Sequence, residues 1–242
     1  MGTWICHLRI ADKLLKKIDN LDPEMFAIGN IAPDSGIADE KWQTFTPPKH
    51  ITHFGNEDET WGIADLDFYR KYLKDVSHED CKQFSFLLGY FFHLITDNLW
   101  AVEIWRPHKE KYADWFAKDV DDFVRETKRD WYGLDFIYVR DYPHALFWQV
   151  FLHCKYETNY LYFVPIEAVQ QRVAYIQQFY QETDAWVQAA YLRPYLYLPK
   201  ARMDQFVEDT SQFLFRVYKA LGDKNLSGGE AKTILEIISF RS

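Results

Sequence analysis

Gly89-Tyr90-Phe91-Phe92-His93-Leu94-Ile95-Thr96-Asp97-Asn98-Leu99-Trp100 is an apolar run into which a histidine and an aspartate are set four residues apart. Residues at that spacing share one face of an α-helix, so His93 and Asp97 project side by side from a wall of Leu, Ile, Phe and Trp. Two readings of such a pair stand open. The imidazole and carboxylate can hydrogen-bond each other and fix a core, or they can offer a metal ion two ligands at once. Gly89, in the same run, carries no side chain and leaves room for a second backbone to approach.

Working outward, spacings of three and four recur through most of the chain and predict an all-α protein. A first helix is expected from Thr3 to about Asp19, with Trp4, His7, Leu8, Ala11, Leu14, Leu15 and Ile18 on one stripe. A short helix follows over Pro23 to Gly29, with Asp22 as N-cap and Pro23 in its first position. Asp34 falls in the turn Asn30-Ile31-Ala32-Pro33-Asp34-Ser35-Gly36. Residues 38–61 contain Pro47-Pro48 and no clear period, and read as a long loop of the kind that often carries function. Further helices are expected over 65–76, from His78 to about Trp105 where Pro107 ends the run, and over 109–128, 142–158, 165–192 (broken in two), 203–221 and 230–240, the last after a loop at 225–229.

The company around His93 and Asp97 favours the metal reading. His7 lies on the buried stripe of the first helix, Asp34 in its turn, and His53 in Lys49-His50-Ile51-Thr52-His53-Phe54. Three histidines and two aspartates in apolar or turn-forming sequence suit one or two divalent ions, and imidazole with carboxylate suits zinc, iron or manganese. His50 is either a further ligand or a solvated loop histidine beside Lys49. His78 reads as a helix cap, and His108 and His144 as structural.

Composition bounds the rest. The 242 residues fit one helical domain, 1–242, with a metal-site half over 1–106 and a divergent half over 107–242; no linker, low-complexity tract or repeat marks a seam. Aromatic residues make up 18% of the chain, so most must be core, and Phe84, Phe86, Tyr90, Phe91 and Phe92 read as core rather than as a platform for bases. A net charge of −8 argues against a broad nucleic-acid surface, although a bound cation would still let a pocket take an anion. Cys6, Cys81 and Cys154 form no Cys-x2-Cys pair and read as small buried residues. Asp97, Glu103 and Arg106 interrupt the best candidate for the roughly 20 apolar residues of a membrane span. Met1-Gly2-Thr3-Trp4 lacks the pattern of a secretory signal, from which a cytoplasmic location is expected.

Trp4-x2-His7, Gly29-Asn30-Ile31-Ala32-Pro33-Asp34, Thr52-His53-Phe54 and Gly89-Tyr90-Phe91-Phe92-His93-Leu94-Ile95-Thr96-Asp97, in that order, resemble the zinc-dependent phospholipase C superfamily, which includes single-strand-specific nucleases. The resemblance spans residues 4–105. It implies the all-α fold of that superfamily, with Asp34, His53, His93 and Asp97 holding one zinc and His7 and Asp97 a second, Asp97 bridging. Asp34 would also orient the attacking water. Secreted members complete the second site with the amino group and carbonyl of an N-terminal Trp, whereas Trp4 here follows Met1-Gly2-Thr3. A third site in the family uses a histidine six residues after the bridging aspartate, where this chain has Glu103, and then a His-x3-Glu, for which His153 and Glu157 have the spacing.

The expected function is metal-dependent hydrolysis of a small-molecule or lipid-type phosphoester, a phosphodiester in particular, by activated water. The alternative is a non-catalytic or degenerate metal-binding protein of the same fold. No Gly-x-Ser-x-Gly elbow or phosphate-cradling glycine loop is present, and the adjacent His-Asp dipeptide of the other helical phosphohydrolases is absent.

Overall fold

Apolar stripes at helical spacing carry most of the chain into helices, and the computed structural model describes residues 1–40, 44–55, 62–222, 226 and 228–240. Helix α1 (Trp4–Leu15) starts at Thr3, whose hydroxyl accepts from the Cys6 amide, and α2 (Pro23–Gly29) starts at Asp22, whose carboxylate accepts from the Met25 amide. A 3₁₀ turn, Ala32–Asp34, follows. Strands β1 (Ile37–Ala38) and β2 (Phe45–Thr46) pair antiparallel, with Ile37 opposite Thr46. Then come α3 (Lys49–Thr52), α4 (Asp65–Phe68) running on as a π turn to Leu73, and α5 (Cys81–Trp100) running on as a π turn to Trp105. Helices α6 (Arg106–Lys111), α7 (Ala113–Lys118), α8 (Val120–Asp141), α9 (Leu146–Gln149), α10 (Ile166–Phe179), α11 (Ala185–Leu192) and α12 (Lys200–Ala220) follow.

Among the described residues the protein is all-α but for the two-stranded ribbon. Helix α5 runs through the core, with Phe86, Tyr90, Phe91, Phe92, His93 and Trp100 fully buried. Its closest neighbour is α2, and two glycines set the spacing. A Cβ on Gly89 would lie 2.5 Å from the Phe26 carbonyl oxygen, and one on Gly29 would strike the Phe86 carbonyl. That approach brings Asn30, just past the end of α2, over His93. Helix α1 packs on the other side of the site, held by α8, α9 and α12.

Several expectations need correction. The first helix ends at Leu15 rather than near Asp19. The segment 38–61 is not wholly loop, since it contains β2 and α3; residues 41–43 and 56–61 lie outside the described residues. Asp80, not His78, caps α5, accepting from the Gln83 amide, while the His78 ring stacks on Phe84 at 3.9 Å. Pro107 does not end the helical path. It falls in the first turn of α6, just after the π turn, where its missing N–H is tolerated. The helix expected over 109–128 breaks at Tyr112 and Asp119, because the Asp119 side chain caps a new helix through the Asp122 amide.

Residues 142–158 yield only α9 and a 3₁₀ turn at Phe151–His153. The helix expected over 230–240 is a single 3₁₀ turn, Ile234–Glu236, because buried Asp65 takes the Thr233 hydroxyl at 2.6 Å and the Ile234 amide at 2.8 Å. Of the loop expected at 225–229, Asn225 and Ser227 lie outside the described residues. Cys6 and Cys154 are buried as expected, but Cys81 is half-buried; all three are free thiols. No helix among the described residues is long and apolar enough to cross a membrane.

Candidate metal centre

Four separate segments deliver the five predicted side chains to one place. Helix α5 presents His93 and Asp97 one turn apart, with His93 Nε2 3.5 Å from Asp97 Oδ2. Helix α1 presents His7, whose Nε2 lies 3.4 Å from Asp97 Oδ1 and whose ring stacks on His93 with centroids 4.0 Å apart. The end of α3 presents His53, with Nε2 3.6 Å from Asp97 Oδ2 and 3.5 Å from Asp34 Oδ1. Asp34 arrives from the 3₁₀ turn after α2. Two groups of ligand atoms result, His7-His93-Asp97 and Asp34-His53-His93, each close enough to surround one ion.

Hydrogen bonds orient these rings from behind. His93 Nδ1 lies 2.8 Å from the Asn30 carbonyl, which can only accept, so Nδ1 carries a proton and Nε2 is the nitrogen that faces the cluster. His53 Nδ1 is 3.0 Å from the Thr52 hydroxyl. The Trp4 indole N–H donates to Asp34 Oδ2 at 2.9 Å, leaving Oδ1 for the cluster. The Gly2 amide donates to Asp97 Oδ1 at 2.8 Å.

Whether these residues fit a metal is decided by what they leave unsatisfied. His7 Nε2, His53 Nε2, His93 Nε2 and Asp97 Oδ2 are all buried and have no hydrogen-bond partner. Buried polar atoms without partners are costly, and these four lie within the two ligand groups, where they suit a divalent cation. Iron or manganese would accept the same donors, but the absence of thiolates and the histidine-rich set suit an open zinc site.

Electrostatics are consistent with that fit. Burial, reinforced by the neighbouring His93, holds His7 down at about 4, so it is neutral and able to ligate. Burial also lowers His53. For His93, burial is outweighed by the Asp97 carboxylate, and the pKa is raised. For Asp97 and Asp34, burial is again overcome, chiefly by His93 and by His53 with Lys49 respectively, and both carboxyls stay well below their usual range.

The remaining candidates separate from the centre. His50 lines the adjacent cavity but joins neither ligand group. Glu103 pairs with Arg202 at 3.1 Å, while His153 and Glu157 are exposed. Residues 154–157 are not helical, so the His-x3-Glu spacing does not put the two on one face, and no described ligand group contains any of the three.

Sequence reasoning missed the supports: the Gly2 amide, the Asn30 carbonyl, and Asp135 of α8, which accepts from the Thr3 hydroxyl at 2.7 Å and so anchors the start of α1. It also missed the cavity of about 690 Å³ that opens beside Asp34, His53 and Asp97. A family model described as zinc dependent phospholipase C matches residues 6–162. No curated protein and no solved structure matches the chain.

Proposed function

Because the chain belongs to the zinc-dependent phospholipase C family, we propose that it is an enzyme that hydrolyses a phosphodiester at the centre formed by His7, Asp34, His53, His93 and Asp97. The observation that carries this reading is the pair of ligand groups, with four buried ligand atoms that lack hydrogen-bond partners, beside an open cavity. Asp34, His53, His93 and Asp97 would hold one zinc, and His7 with Asp97 a second. Zinc held there would supply Lewis acidity to a phosphoryl oxygen and lower the pKa of a bound water toward neutrality.

The protein's own groups do the rest. Asp34 is held ionised and lines the cavity, where it would orient an attacking water. Trp4 fixes Asp34 through the indole N–H, and the ring itself is wedged edge-on against Tyr132, Tyr175 and Phe179, at 5.8, 5.8 and 5.9 Å. Trp105, Trp131 and Tyr132 line the cavity and limit the water that reaches the phosphorus. A lipid-type headgroup phosphodiester suits both the family and the cavity.

Elemental analysis of the purified protein together with hydrolysis of bis(p-nitrophenyl) phosphate tests the reading. Bound zinc and activity that His93→Ala and Asp97→Ala abolish support it. A folded, metal-free protein without activity would assign the chain instead to a non-catalytic branch of the same fold.

A further inference from the structure

The cavity beside the metal centre has a charge pattern that the centre does not need. Lys49 from α3, Lys128 from α8 and Arg172 from α10 all line it. Among the described residues, the only carboxylates in its lining are Asp34 and Asp97, and both belong to the ligand set.

Elsewhere the chain, at net charge −8, pairs many of its cations. Arg9 meets Asp204, Arg193 meets Asp130 and Arg202 meets Glu103. In the cavity that pattern fails. Lys128 makes no salt bridge among the described residues, and neither does Arg172. Lys49 approaches Asp34 Oδ1 only at 3.8 Å and touches the Met1 sulfur at 3.1 Å.

The Arg172 guanidinium lies over Trp4 and Tyr175, 5.5 and 5.7 Å from their centroids, and its buried Nε has no hydrogen-bond partner. The two aromatic rings hold the guanidinium without neutralising it. Lys128 is exposed but still partly desolvated, and this and then the positive charge of Lys49 lower its pKa against the opposing pull of Asp34. Three cations from three elements line one cavity, and two of them, Lys128 and Arg172, make no salt bridge among the described residues, which leaves an anion to be supplied by the ligand.

We propose that the enzyme selects phosphodiesters whose alcohol carries a further anionic group, a phosphomonoester foremost, which Lys49, Lys128 and Arg172 receive while the scissile phosphate lies at the metal centre. The inference rests on the phosphodiesterase reading above. Arg172 offers the forked donors that match a phosphate, and the lysines add point charge. A headgroup ending in a quaternary ammonium would meet the same three charges and be repelled.

Matched substrates provide the test. Phosphatidylinositol and phosphatidylinositol 4-phosphate differ by one phosphate. Each is assayed in mixed micelles and, after deacylation, as the soluble glycerophosphodiester, with phosphatidylcholine as the cationic contrast. The expected result is a kcat/KM at least about tenfold higher for the phosphorylated member of each pair, shrinking as salt screens the cavity. A preference seen in both arms places recognition in the soluble headgroup; one confined to micelles would locate it at the lipid surface and overturn the assignment to these three side chains.

Lys128→Gln/Arg172→Gln is expected to bring the ratio to within about twofold of unity. Lys128→Gln alone, at an exposed position, is expected to lower it severalfold. Calorimetry on the wild-type protein with inositol 1-phosphate and inositol 1,4-bisphosphate reads the same preference without turnover. Hydrolysis of both members of each pair at equal kcat/KM would overturn the proposal and leave the phosphodiesterase reading intact. Tighter binding of the bisphosphate by a protein that hydrolyses nothing would overturn that reading and leave the anion site.

Discussion

Thr3 and Asp135 stand 132 residues apart in the chain and 2.7 Å apart in the fold, the hydroxyl of one donating to the carboxylate of the other. Thr3 is also the cap of α1, so Asp135 on α8 fixes the helix that carries Trp4 and His7. Tyr180 donates to the second carboxylate oxygen at 2.5 Å, tying the stretch after α10 to the same point. The half of the protein without metal ligands thus holds the ligands of the other half in place.

That arrangement sets a pH dependence. Burial outweighs the hydrogen bonds from Tyr180 and Thr3 and pushes the Asp135 carboxyl from 3.8 up to about 7. The folded protein therefore keeps a proton that the unfolded chain releases over this range. The stabilisation is fully present below the unfolded value and is lost as pH rises through the folded one, at no more than about 1.4 kcal/mol per unit. Asp135→Asn keeps an acceptor for Thr3 and removes the charge. Urea midpoints measured from acid to mildly alkaline pH should fall less steeply in Asp135→Asn than in wild type; equal slopes would assign the loss to other groups, Asp65 first among them.

The close approach of α2 to α5 predicts a coupling between packing and metal binding. Gly89→Ala would place its methyl 2.5 Å from the Phe26 carbonyl and 2.9 Å from the Asn30 amide, both backbone atoms. Relief requires the helices to part, at a cost of about 1–3 kcal/mol. Asn30 moves with α2 and takes its carbonyl from His93. Thermal unfolding should therefore show a lowered Tm, and zinc titration a weakened affinity. Unchanged affinity in a destabilised variant would show that the Asn30 contact does not orient His93.

Zinc binding should release a proton. His93 is raised above the usual histidine value by Asp97 and must be neutral to ligate, whereas His7 and His53 are lowered and already neutral. Affinity then falls as pH drops through the His93 titration, by about tenfold per unit for one displaced proton. Calorimetric titrations in buffers of differing ionisation heat count that proton directly. A pH-independent affinity would mean that His93 is not a ligand.

The chain's pattern made some of this legible and hid the rest for physical reasons. His93 and Asp97 were readable because helical spacing alone places them together, and Asp22 and Pro23 because capping is local. The breaks at Tyr112 and Asp119 depend on a cap competing with a helix that would otherwise continue. The C-terminal 3₁₀ turn depends on Asp65, far off in sequence, capturing Thr233 and Ile234. The cavity cations escaped for the same reason: Lys49, Lys128 and Arg172 share no motif and meet only through tertiary packing.

The central claim is that the five-residue cluster is a zinc centre that drives hydrolysis, and titration of chelator-stripped protein with zinc tests it most directly, following bound metal and diester cleavage in the same sample. The account predicts that cleavage is absent from the stripped protein, rises with the first one or two equivalents bound, and fails to rise in Asp97→Asn. Full cleavage by the stripped protein, or zinc bound by Asp97→Asn as tightly as by wild type, would contradict it.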